Sequence, residues 1–128
     1  MAYLVDTDVA IHLRDGDRVV TERIAGLGSA VLMSIVTRVK LEGGIYRDPA
    51  LIAVRRARLD LMLKAMPVLA FDAAAATAYA TIVAGAGYSR RKLLDRMIAA
   101  QALVHRATLV TINRRDYADI PGLDLLAW

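Results

Sequence analysis

The run Ala2-Tyr3-Leu4-Val5 breaks off at Asp6-Thr7-Asp8. A short apolar segment that ends on a carboxylate is how an open parallel sheet carries an acid to the carboxyl edge of its strands, where such sheets place their sites. The run reads as a first strand, and Asp8 stands where it can cap a short helix over Val9–Leu13. The rest of the chain can then be searched for partners of Asp6.

The pattern continues outward. Asp15-Gly16-Asp17 is a turn, a helix follows from Arg18 to Leu27, and Val31–Ile35 reads as a second strand behind Gly28-Ser29. Thr37 is placed to cap a helix reaching about Tyr46, and Pro49 opens another that runs to about Ala65, where Pro67 stops it. Val68–Phe71 is a third strand, and Asp72 caps an alanine-rich helix from Ala73 to about Ala84, closed by Gly85-Ala86-Gly87. After a basic loop at 88–92 come a helix from Lys92 to Arg106, a fourth strand at Thr108–Ile112 and a short edge strand at Leu123–Ala127. Strands alternating with helices at this spacing predict an α/β fold whose parallel sheet is covered on both faces.

Composition sets the limits. At 128 residues the chain is read as one domain, 1–128, able to bury about two-thirds of its unfolded surface. It is 57% hydrophobic with five Tyr, one Phe and one Trp, so the core must be aliphatic. The absence of Cys excludes disulfides, zinc–thiolate sites and cysteine nucleophiles, and fits a reducing compartment. No run is apolar for the length of a bilayer, since Val68–Ala76 is interrupted by Asp72, and no signal-like start is visible. The expectation is a cytoplasmic protein without a membrane partner. The net charge of +4 and the clusters Arg55-Arg56-Ala57-Arg58, Arg90-Arg91-Lys92 and Arg114-Arg115 suit a polyanion, although basic helix surfaces also serve solubility alone.

Asp6 and Asp116 follow strands one and four, and Asp95 lies on the first turn of the helix before strand four. Any one of them is explained as a cap or a helix-dipole partner. Together they are not, because carboxylates gathered at one sheet edge repel unless a divalent cation sits among them. Ile98, Ala99 and Ala102 place Asp95 beside the sheet-packing face, where a half-buried acid needs a cation or a donor. Thr111 and Asn113 add a hydroxyl and an amide that could hold carboxylates and waters. Arg90, Arg91, Lys92, Arg114 and Arg115 adjoin these segments and would frame the acidic centre as phosphate-positioning contacts.

These residues carry a family resemblance. Tyr3-Leu4-Val5-Asp6-Thr7-Asp8, Ser34-Ile35-Val36-Thr37, Phe71-Asp72, Leu94-Asp95-Arg96-Met97-Ile98-Ala99-Ala100, Leu109-Val110-Thr111-Ile112-Asn113-Arg114-Arg115-Asp116-Tyr117 and Ile120-Pro121-Gly122-Leu123, with terminal Trp128, are together similar to a PIN-domain ribonuclease of the VapC toxin type. The resemblance spans nearly the whole chain in order. It implies a three-layer α/β/α sandwich around a parallel sheet of four or five strands. It also implies a Mg²⁺- or Mn²⁺-dependent endonuclease for structured RNA such as tRNA, a VapB-type antitoxin and a homodimer. Carried over by position, Asp6, Asp95 and Asp116 would be metal ligands or near-ligands, with Thr7, Thr111 and Asn113 in support.

One position departs from the pattern: where the family carries a glutamate after strand two, this chain has Lys40. The substitution puts a competitor for the metal in place of a ligand and implies an activity-impaired chain, with Lys40 reaching its ammonium toward the acids. Glu42 is a poor replacement, since two residues along a helix turn a side chain by about 200°. Two other readings stay open. One is a catalytically dead PIN-like module that binds RNA or antitoxin. The other is a haloacid-dehalogenase-like phosphotransferase, in which Asp6 would be the nucleophile and Asp8 the acid–base.

Overall fold

The computed structural model describes residues 1–128. Strand β1 (Ala2–Val5) lies at the centre of a five-stranded sheet, with β2 (Ala30–Ser34) and β3 (Val68–Leu69) on one side and β4 (Thr108–Thr111) and β5 (Leu125–Ala127) on the other. All four pairings are parallel. Val5 stands level with Met33 of β2 and with Val110 of β4. Because side chains alternate across a strand, Leu4 and Val5 face opposite layers, as do Leu109 and Val110, and all four are fully buried.

Two cores result, one on each face. Leu4 and Leu109 pack with Ile82 of α5 (Ala73–Ala86) and with Ile98, Ala99 and Ala102 of α6 (Leu93–His105). Val5, Met33 and Val110 pack under α1 (Thr7–Arg14), α2 (Arg18–Ala25), α3 (Ile35–Ile45) and α4 (Ile52–Ala65). This is the expected α/β/α sandwich, with the fifth strand present. No helix is long and apolar enough to cross a membrane.

Two helix starts differ from expectation. Asp6, not Asp8, caps α1, accepting a hydrogen bond from Val9 N at 3.0 Å. Ser34, not Thr37, caps α3 by accepting from Val36 N at 3.0 Å. Each strand therefore turns into its helix with no loop between, and Thr37 is freed to bond the Thr7 hydroxyl at 3.0 Å in the interior. Pro49 opens a 3₁₀ turn, Pro49–Leu51, before α4 begins. β3 is two residues long because the segment past Leu69 is used differently: the carbonyls of Leu69 and Ala70 accept from Gln101 Nε2 at 3.0 and 3.1 Å.

Gln101 ties the sheet to α6. It is fully buried, and its amide oxygen accepts from the Ser34 hydroxyl. Gln101→Ala would strand the two carbonyls and the hydroxyl, each worth about 1–3 kcal/mol when buried and unpaired. A net loss of about 3 kcal/mol is expected in urea unfolding; a loss under about 1 kcal/mol would mean that water replaces the amide.

Candidate active site

The strand order changes direction between β1 and β4, and at such a switch point an open sheet leaves a crevice outside the strand ends. Asp6 and Thr111 meet there. Asp6 N donates to Val110 O at 3.0 Å, and the Thr111 hydroxyl donates to Asp6 Oδ2 at 2.6 Å. Thr111 Oγ1 in turn accepts from Asn113 N at 2.9 Å, and Asn113 Nδ2 donates to Asp8 Oδ2 at 2.6 Å. A chain of hydrogen bonds thus runs from the end of β4 to both acids of the first turn.

Asp6 is only 3% exposed, and its carboxyl is pushed up to about 6. Burial is the main cause; the Thr111 and Val9 hydrogen bonds oppose it, while the charges of Asp8 and Asp95 add to it. Asp95, half-buried at the start of α6, is also raised, first by burial and then by Asp116 and Asp8. Lys40 and a long 3.5 Å hydrogen bond from Tyr117 pull it the other way. Tyr117 is buried beside all four acids and holds its proton well above the usual phenol range, through burial and then their charges. Asp6, Asp8, Asp95 and Asp116 therefore form one electronegative neighbourhood at the carboxyl edge. No three of them lie close enough to enclose a metal ion by themselves.

Other singled-out residues fall around this centre. Thr7 is buried and bonded to Thr37. Lys40 is exposed, and no carboxylate lies within ion-pair distance of its ammonium, so it acts on Asp95 through space without entering the cluster. Glu42 faces elsewhere, held by Arg56 at 2.6 Å and Arg38 at 3.3 Å. Arg90, Arg91, Arg114 and Arg115 are exposed without carboxylate partners, and Arg114 and Arg115 line a hollow of about 540 Å³ with Asn113 and Asp116. Lys92 is paired with Asp119 at 3.3 Å.

From the sequence, Asp8 reads as a helix cap, or as the acid–base of the phosphotransferase alternative, and Tyr117 has no assigned role. The hint for Tyr117 was its place next to Asp116, but only the 3₁₀ turn Arg114–Tyr117 carries the ring inward.

The donor set is oxygen throughout, which suits a hard cation. Both Asp6 oxygens are already engaged by protein donors; Asp8 and Asp95 raise Asp6, Asp116 and Asp8 raise Asp95, and Lys40 with the Tyr117 hydrogen bond opposes the rise at Asp95. Mg²⁺ binds through one or two carboxylates and keeps several waters, so a spread, uncompensated acidic centre fits it in charge and chemistry.

The fold and this edge define a class: residues 3–123 match the PIN domain model, and the chain belongs to the PIN-domain family. That membership sets aside the haloacid-dehalogenase-like alternative. Among solved structures, the chain is similar to the DNA-bound VapBC complex of Salmonella typhimurium, with 25% identity, a TM-score of 0.84, and coverage of 100% of this chain and 98% of that one. VapBC-1 of nontypeable Haemophilus influenzae is likewise 25% identical, with a TM-score of 0.78 and the same coverage. VapBC2 of Rickettsia felis, bound to a promoter DNA fragment, shares the fold at 21% identity and a TM-score of 0.85, covering 100% of this chain and 99% of that one. No curated protein matches.

Proposed function

We infer that residues 1–128 act as one VapC-type toxin domain, an endoribonuclease dependent on Mg²⁺ or Mn²⁺, impaired in this chain by Lys40. The observation that carries this reading is the gathering of Asp6, Asp8, Asp95 and Asp116 at the switch point of a PIN fold, where Asp8 and Asp95 raise Asp6 and where Asp116 and Asp8 raise Asp95. One or two of Asp6, Asp95 and Asp116 would bind the metal and the others would hold its waters, with Asp8 beside them. When bound, the metal would activate a water and offset the charge that builds on the phosphate. The protein's own part is positional. Thr111 and Val9 N fix the Asp6 carboxylate, Asn113 fixes Asp8, and Tyr117 presents a proton to Asp95.

Structured RNA such as tRNA is the substrate this reading assigns, with the exposed arginines as its phosphate contacts. The similarity to VapBC complexes supports a VapB-type antitoxin as partner. A homodimer and a cytoplasmic location go with the same reading. A dead binding module is the second reading, favoured by Lys40.

The combined change Arg90→Ala, Arg91→Ala, Arg114→Ala and Arg115→Ala tests the RNA assignment. RNA affinity should fall, and the slope of log K against log salt should flatten by about 0.7–0.9 for each phosphate no longer neutralised. An unchanged slope would make these arginines solvated charges and nothing more.

A further inference from the structure

Beside Lys40, α1, α3 and α4 enclose an open cavity of about 730 Å³. Four cationic side chains line it, Arg14, Lys40, Arg47 and Arg55, against two acids, Asp15 and Asp48. Only one lining residue is hydrophobic, and none is aromatic.

The cations divide into two kinds. Arg14 is 4% exposed and is held by Asp15, which accepts from its Nε at 3.1 Å and lies 3.0 Å from its Nη2. Its guanidinium is seated against Gly44, where an added Cβ would stand 2.7 Å from Arg14 Nη1. Arg55 Nη1 donates to the Gly44 carbonyl at 2.9 Å, and its Nε is 3.9 Å from the same Asp15. One carboxylate is thus shared by two guanidinium groups, and the wall they build stays positive. Asp48 is occupied at the next turn, accepting from Ala50 N at 3.1 Å. Lys40 and Arg47 have no ion-pair partner and complete the lining.

Two positive charges in excess, in a polar hollow with fixed guanidinium forks, select a phosphate-type anion. The lining lacks an aromatic face on which a base could stack, which disfavours a nucleotide effector and favours backbone contact. α1 starts at Asp6 and α3 at the end of β2, so both run from the acidic edge of the sheet to the cavity wall, where Lys40 of α3 lines the hollow.

We propose that this cavity is a second phosphate site, which holds a backbone phosphodiester of the RNA strand next to the stretch presented to the acids. The inference rests on the ribonuclease reading above. It gives Lys40 a role in this chain, as the cation where the strand passes from one site to the other. It also separates strand binding, in the hollow between α1, α3 and α4, from the arginines at the end of β4.

The test uses the full chain, a fluorescein-labelled RNA hairpin, EDTA to suppress cleavage, and anisotropy across a salt series. Arg47 is exposed and outside the acidic centre, so Arg47→Ala should fold as the native chain does, which circular dichroism checks. The expected result is a loss of affinity of about five- to tenfold near 0.1 M salt, with the salt slope reduced by about one. Arg47→Glu should lose more. If the native chain binds RNA, Arg114→Ala weakens it and both Arg47 variants bind with native affinity and slope, the cavity is not an RNA site and the ribonuclease reading survives. If pyrophosphate raises the native melting temperature but not that of Arg47→Ala, while RNA binding ignores Arg47, the site takes a small free anion and the proposal is overturned. If the native chain binds no RNA and Arg114→Ala changes nothing, both readings fall together.

Discussion

Lys40→Glu is expected to convert a weak or inactive chain into a metal-dependent ribonuclease. The residue sits on α3, exposed, with its charge acting on Asp95. Replacing it takes the net charge from +4 to +2 and adds a carboxylate to a centre that already repels itself. Without metal that addition raises Asp95 further and costs stability. With Mg²⁺ or Mn²⁺ it supplies another hard ligand and removes a competing cation. Changes outside the ligand shell already alter metal affinity or activity about 10–100-fold, so a gain of at least about 100-fold in cleavage is expected from the shell itself. The measurement is cleavage of a tRNA transcript by both proteins, with Mg²⁺, with Mn²⁺ and with EDTA. Equal activity would show that position 40 is not the glutamate slot. No cleavage by either protein would leave the binding-module reading in possession.

Asp6→Asn should change stability by about as much as Gln101→Ala but in the opposite sense: it should stabilise. A buried carboxyl raised from 3.8 to about 6 binds its proton more tightly in the folded chain than in the unfolded one. Stability from this group is therefore greatest below about pH 4, falls as pH rises toward about 6, and stays reduced above that. The shift corresponds to about 3 kcal/mol at neutral pH in the absence of metal. Asparagine keeps the geometry: its oxygen can accept from Val9 N, and its amide can donate to Thr111 Oγ1 once that hydroxyl rotates. Calorimetry in EDTA should find Asp6→Asn melting about 10 °C higher at pH 7 and level with the native chain near pH 4. Part of the native pH dependence should remain, because Asp95 is raised in the same direction. Cleavage should be lost, also in combination with Lys40→Glu, since a functional site commonly stores instability that its removal releases. A native chain whose melting temperature stays flat from pH 4 to pH 7 would count against this account of Asp6.

The alternation of strands and helices, and the arrival of Asp6 and Asp116 after strands, could be read from the sequence. Both depend on local chemistry: apolar runs of strand length, caps, and the prolines and glycines that end helices. The resemblance goes further, to the PIN family, because it reads order along the chain; the departure at Lys40 rests on the resemblance alone. What the linear pattern could not settle was where each polar side chain finds its partner. Asp6 and Asp8 compete for one cap, as Ser34 and Thr37 do, and the choice follows from where β1 and β2 stop in the sheet. The bond from Thr111 to Asp6 joins residues 105 positions apart and exists because β4 lies beside β1. Lys92 was placed with the phosphate contacts, yet Asp119, brought close by the turn after Tyr117, takes its ammonium. The basic cavity has no linear signature, since its cations come from α1, α3, the turn after α3 and α4. Tertiary packing alone decides such juxtapositions, because a side chain's pKa and partners depend on distance in space, which the spacing of residues along the chain does not specify.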